Sequence, residues 1–346
     1  MLRCLLVVLA VVRWSFVSGS PGDRSSHYRR CVLRCSQSGC ARIWLSETSK
    51  NSTGVGKSFD VCEFPQACPQ FTSTPVPAEL ALTRWSCEDD CRYHCMMAME
   101  EFRKKTSHGP VKYHGKWPFK RVYGTQEIFS SMLSVLNFLA HVHNAIALRS
   151  KISITRKQKK VIYPYSRLWW AYVATHLNAW FWSTMFHARD VGGTEKADYF
   201  SASWTVFVGL YVALARCGEL RSVAKWMVLI TLMAFYLRLV YYLNIIHFDY
   251  GYNMAVCIVL GIAQGLIWIG WAWRTRHPSR RTVWLFFLGL YGSMLAEVFD
   301  FPPFGLLVDA HAVWHAATIP LTYVWYKFIF DDIRWWSESV PMEKGV

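Results

Sequence analysis

The stretch "DAHAVWHAATIPLTYVWYKFIF", Asp309 to Phe330, decides how the chain is read. Most of it has the composition of a lipid-facing helix. Yet it opens with His311 and His315, four residues apart, behind Asp309. On a helix, positions i and i+4 differ by about 40° of rotation and about 6 Å of rise, so the two imidazoles share a face. Ionisable groups at membrane depth are costly and mark function, provided they have partners at the same depth.

The rest of the chain supplies the membrane. Of 346 residues, 53% are hydrophobic, 18 are tryptophan and only 18% are charged, which argues against a soluble domain of this length. Residues 20–125 are polar and cysteine-rich, and long apolar runs follow. Seven candidate spans fall at 126–147, 168–187, 199–215, 226–246, 254–272, 283–299 and 311–329. Each is long enough for a hydrocarbon core of about 30 Å. The expected fold is therefore an all-α membrane protein: a seven-helix transmembrane domain over 126–329, a lumenal cysteine-rich domain and linker over 20–125, and a cytosolic tail over 330–346.

The opening "MLRCLLVVLAVVRWSFVSGSPGDR" reads as a cleaved signal peptide, residues 1–19. Arg3 gives the basic start, Cys4 to Val12 a short apolar core, and Val17 and Gly19 the small positions before a cut near Ser20. A signal anchor is the alternative, but Arg13 interrupts the core. Eight cysteines follow: Cys31, Cys35, Cys40, Cys62, Cys68, Cys87, Cys91 and Cys95. An even set behind a signal peptide implies disulfides formed in an oxidising lumen. Which pairs form is not legible, and the secretory context disfavours a zinc site in "CEDDCRYHC". Asn51-Ser52-Thr53 is a glycosylation sequon in the same region. Cys217 and Cys257, in or beside apolar runs, are expected as free thiols packed like small hydrophobes.

A lumenal N-terminus makes the linkers after the first, third and fifth spans cytosolic. They carry Arg149, Lys151, Arg156, Lys157, Lys159, Lys160 and Arg167; Arg216, Arg221 and Lys225; and Arg274, Arg276, Arg280 and Arg281. The opposite linkers carry only Arg189 and Lys196. This asymmetry follows the positive-inside rule. The net charge of +15 is then largely topological, and nucleic acid is excluded as a partner. Membrane lipids are the expected surroundings, with "RKQKK" a solvated loop beside the head groups. "HGPVKYHGKWPFKR", residues 108–121, reads as a linker with an interfacial character.

Three span ends bring polar groups to the lumenal face. His311 and His315 open the seventh. Ser183 and His187, also i and i+4, close the second in "WFWSTMFHARD", and Asp198 stands at the mouth of the third in "KADYF". Each has a plainer reading: interfacial histidines bonded to backbone, a helix-packing serine, an aspartate that caps its helix. Their agreement in depth and side favours a metal site. Three neutral imidazoles with one open position suit catalytic Zn2+; Asp198 would move a proton and Ser183 would steady a developing oxyanion. Glu297, Asp300 and Asp309 lie near this face as supporting or loop-capping groups, Arg238 snorkels or pairs with a carboxylate or lipid phosphate, and His141, His143 and His176 are expected to be structural.

The spacing S-x3-H, an aspartate eleven residues on, and a late H-x3-H resembles the CREST superfamily of membrane hydrolases. The strings "LNAWFWSTMFHARD", "TEKADYF", "FDYGYN", "DFPPFG" with "DAHAVWH", and "HGKWPF" resemble the post-GPI-attachment-to-proteins factor 3 family over essentially the whole chain. The resemblance implies seven transmembrane helices, His187, His311 and His315 as ligands of a zinc-type ion, and Ser183 and Asp198 beside the reacting water. It implies a phospholipase A2-like step on GPI-anchored proteins. That step removes the unsaturated sn-2 acyl chain of the anchor's phosphatidylinositol, in the Golgi or the ER. The tail "SESVPMEKGV" has no KDEL-like or dilysine signal, which leans towards the Golgi. Three other readings compete: a ceramidase-like amidase or esterase, a non-catalytic receptor or folding factor with a structural zinc, and a serine hydrolase with Ser183 as nucleophile and His187 as base.

Overall fold

The computed structural model describes residues 20–37, 80, 82–159 and 162–339. The proposed signal peptide, Asn51, Cys40, Cys62 and Cys68 lie outside the described residues. Nine helices of twelve residues or more are described: α1 (Ser26–Gln37), α2 (Cys87–Lys105), α3 (Ile128–Lys159), α4 (Ser166–Ala188), α5 (Gly192–Cys217), α6 (Ser222–Tyr241), α7 (Tyr250–Arg274), α8 (Arg280–Phe299) and α9 (Ala310–Ser339). A π-helical turn, Tyr242–Ile246, extends α6. Among the described residues no β-strand forms, only isolated bridges.

The chain divides into two compact units. One holds residues 20–128 together with the loop 301–309, and the other holds 129–300 and 310–339. In the first, α1 and α2 are stapled by Cys31–Cys95 and Cys35–Cys91. Both helices carry their cysteines at i and i+4, and the crossed numbering means that they run antiparallel. Ser86 caps α2 by accepting from the Asp89 amide at 3.1 Å. Glu88, Asp89 and Asp90 in its first turn and Arg103, Lys104 and Lys105 in its last complement the helix dipole. The segment 108–121, expected as a linker, is instead part of this unit's core. Tyr113 is buried with Tyr28, Cys95 and Met99, its ring 5.0 Å from that of Tyr28. Its hydroxyl donates to Glu100 Oε1 at 2.8 Å, and burial pushes the Glu100 carboxyl above its ordinary range.

Five helices of the second unit are long and apolar enough to cross a membrane: α3, α5, α6 with its π turn, α7 and α8. The second and seventh expected spans fall on α4 and α9, which are 23 and 30 residues long. Tryptophan, tyrosine, histidine, serine and threonine lower their hydropathy below that of the other five. The boundaries also differ from the sequence reading. The basic segment after the first span is not a loop, because α3 continues through Arg149 and Arg156 to Lys159; its basic last turn suits a helix C-terminus. Residues 330–339, expected to begin a tail, continue α9 and bury Asp332.

Asp332 explains that continuation. Arg216 grips it with two bonds, Nη2 to Oδ1 at 2.6 Å and Nε to Oδ2 at 3.0 Å. The Tyr163 hydroxyl also donates to it, and His277 Nε2 stands 3.5 Å away. The guanidinium lies over the rings of Tyr165 and Trp271 at 4.4 and 4.6 Å. Arg216, assigned by its charge to a linker, is a buried structural residue. Beside it Trp169, Trp268, Trp325 and Phe328 form a fully buried aromatic core. Cys217 and Cys257 are free thiols, as expected.

Candidate metal centre

At the other end of the bundle, α4 and α9 bring His187, His311 and His315 together. One ring nitrogen of each lies within 4.8 Å of the others. The ring centroids are 5.0 Å apart for His187 and His311, 4.9 Å for His187 and His315, and 4.5 Å for His311 and His315. His187 and His315 are 2% exposed, whereas His311 is half-buried, so the cluster opens to solvent on the His311 side.

The tautomers are set by groups behind the imidazoles. Glu297 Oε2 accepts from His311 Nδ1 at 2.7 Å, and Tyr250 donates to the other oxygen of Glu297 at 2.9 Å. Ser134 donates to the Ser130 carbonyl at 2.8 Å, so its oxygen accepts from His315 Nδ1 at 2.9 Å. Both histidines then carry their proton on Nδ1 and present Nε2 lone pairs, and those two nitrogens face each other at 2.9 Å. A single cation between the facing nitrogens, either a shared proton or a metal ion, relieves the repulsion of their lone pairs. A tetrahedral site with metal–nitrogen bonds of about 2.0–2.1 Å separates its donors by about 3.4 Å, a small opening from the observed spacing. The donor set and its orientation fit a divalent ion such as Zn2+.

Ser183 and Asp198, both buried, line one cavity with His311 and His315. Ser183 Oγ is 3.0 Å from Ser134 Oγ, so it shares the serine that holds His315. Asp198 is not a helix cap: α5 begins at Gly192 and its cap is Val191. That placement removes the plainer reading of this residue and leaves a carboxylate inside the helix, at the cavity wall. Asp300 is the left-handed residue that ends α8, Arg238 is exposed, and Glu297 has become the partner of His311.

Ser134, Asn137 and Thr318 were missed. Asn137 donates to the His315 carbonyl at 2.8 Å and accepts from Thr318 at 3.2 Å, tying α3 to α9. A signal did exist. Ser130, Ser134, Asn137, His141 and Asn144 recur at steps of three and four and are all buried. They form a polar stripe on a lipid-length helix, and such a stripe seeks another helix. Outer groups of this kind tune metal affinity about 10–100-fold. Glu297→Ala is expected to weaken zinc binding by that factor, measured by competition with a chromogenic chelator.

A polytopic helical membrane protein with a buried three-histidine centre is the class that fold and site define. The chain belongs to the Per1-like family, whose model matches residues 77–333. It is 35% identical over 332 residues to a Bos taurus protein named GPI-specific phospholipase A2-like PGAP3, covering 95% of this chain and 94% of that one. The Danio rerio protein of that name is 36% identical, covering 91% of each chain. Protein PER1 homolog of Schizosaccharomyces pombe is 34% identical, covering 90% of this chain and 87% of that one.

Proposed function

We propose that the protein remodels GPI-anchored proteins by metal-dependent hydrolysis of the sn-2 acyl ester of the anchor's phosphatidylinositol. The observation that carries this reading is the convergence of three imidazoles at a mainly apolar cavity that His311, His315, Ser183 and Asp198 line. The names of the relatives, GPI-specific phospholipase A2-like, supply the substrate.

In this reading His187, His311 and His315 hold the ion. When bound, the ion polarises the ester carbonyl and acidifies water at near-neutral pH. Asp198 takes the proton of the attacking water and returns it to the departing glycerol oxygen. Ser183 turns its hydroxyl from Ser134 to donate to the oxyanion that grows on the carbonyl. Glu297 and Ser134 keep His311 and His315 aimed. The water's oxygen ends on the fatty acid and the alcohol remains on the anchor, so the step balances. α4 and α9 complete a seven-span bundle with the centre at the lumenal face of the Golgi membrane (the ER membrane being the alternative), and residues 20–125 stand in the lumen.

Purified protein in lipid nanodiscs should release the sn-2 fatty acid from a phosphatidylinositol-type anchor. Chelation should abolish release, and added zinc should restore it. Release that persists at full rate after the metal is stripped would favour the serine-hydrolase reading. Release from ceramide alone would favour the amidase.

A further inference from the structure

The cavity has a volume of about 380 Å³, and its shape is informative. On α4 its lining runs from Ser183 to Tyr172, and on α9 from His311 to Trp325. Those are steps of eleven and fourteen residues, or about 16 and 21 Å of helix rise. The cavity is therefore a long slot parallel to the helices. Its polar end is the three-histidine centre. Its inner end rests on Trp325, which is packed against Trp268 and Trp169 in the buried aromatic core, so the slot is blind.

The wall on α7 shows how the slot is kept open. Its lining residues there include Met254, Cys257, Gly261 and Gln264, a stripe at steps of three and four. At Gly261 an added Cβ would meet nothing within 4 Å. A Cβ at this position would stand in open space among the slot's lining residues. Near the inner end the rings of His141 and His176 stand 4.9 Å apart and also line the cavity. We propose that the slot holds a single acyl chain of the substrate, carbonyl at the histidine centre and methyl end towards Trp325, and that Gly261 sets the chain length accepted. The mainly apolar lining favours a hydrocarbon chain over a charged head group, and a 380 Å³ cavity of this length is too narrow for two chains. This deepens the hydrolase reading and rests on it only for the identity of the ester.

The test compares Gly261→Leu with Gly270→Leu. Gly270 is an exposed glycine of α7 whose added Cβ also meets nothing within 4 Å. A photoactivatable long-chain fatty acid should crosslink wild type and G270L at slot residues such as Met254 or Cys257, and should fail to do so in G261L. With sn-2 acyl chains of graded length, G261L should shift the ratio of kcat/KM for long over short chains downward by roughly tenfold or more, and G270L should not. Crosslinks that map elsewhere, or that survive in G261L, overturn the proposal. So does a G261L that loses long and short chains alike. If crosslinking maps to the slot while wild type hydrolyses no ester, the hydrolase reading falls and the acyl site stands.

Discussion

Asp198→Asn should retain the metal and lose turnover, whereas His315→Ala should lose both. Asp198 lines the cavity beside the histidines and is not one of the three donors that converge. Asparagine matches its volume and keeps one acceptor oxygen, but it cannot take up a proton near neutral pH. A positioned general base contributes about 10²–10⁴ in rate, and a loss of that size is expected. His315→Ala removes one of three donors and empties the end of the seam that Ser134 supports, so a site built on three imidazoles no longer closes. Metal content by mass spectrometry, measured beside fatty-acid release, separates the two. Loss of metal in Asp198→Asn would move that carboxylate into the ligand set. Full turnover in either variant would remove the centre from the chemistry.

Asp332→Ala should be the most destabilising single substitution in the bundle. Asp332 is 0% and Arg216 2% exposed, and they share a bidentate pair. Removing one partner of such a pair strands a buried charge and costs about 3–5 kcal/mol. The double variant Arg216→Met with Asp332→Leu removes both charges at similar volume and should cost much less. Thermal unfolding followed by tryptophan fluorescence reads this out, since Trp271 and Trp335 pack around the guanidinium. A double variant less stable than Asp332→Ala would mean that the pair contributes through attraction rather than through the penalty of an orphaned charge.

Both predictions show where the sequence was legible. That His187, His311 and His315 come together, with Ser183 and Asp198 on the adjoining cavity wall, was readable because helix periodicity fixes which face each occupies and span ends fix depth. Glu297 was placed near the site as a supporting or loop-capping group, not as the partner of His311, and Ser134 and Asn137 went unseen. Serine and asparagine are tolerated singly in membrane helices, so only their recurrence along one face of α3 carries information. Arg216 and Asp332 were read as topological charge and tail. Nothing local in "ARC" or "FDDI" tells a solvated charge from a buried one.

The sequence by itself determined the helical class, five apolar segments long enough for a bilayer, and the span ends at which the histidines stand. These follow from periodicity and composition, which act within one helix. The tertiary structure alone decided that Cys31 meets Cys95 and Cys35 meets Cys91. It decided that Ser134 backs His315 across 181 residues and that Arg216 finds Asp332 across 116. Periodicity specifies the face a helix must bury. It does not specify the helix that will cover it, and each of these contacts depends on that choice.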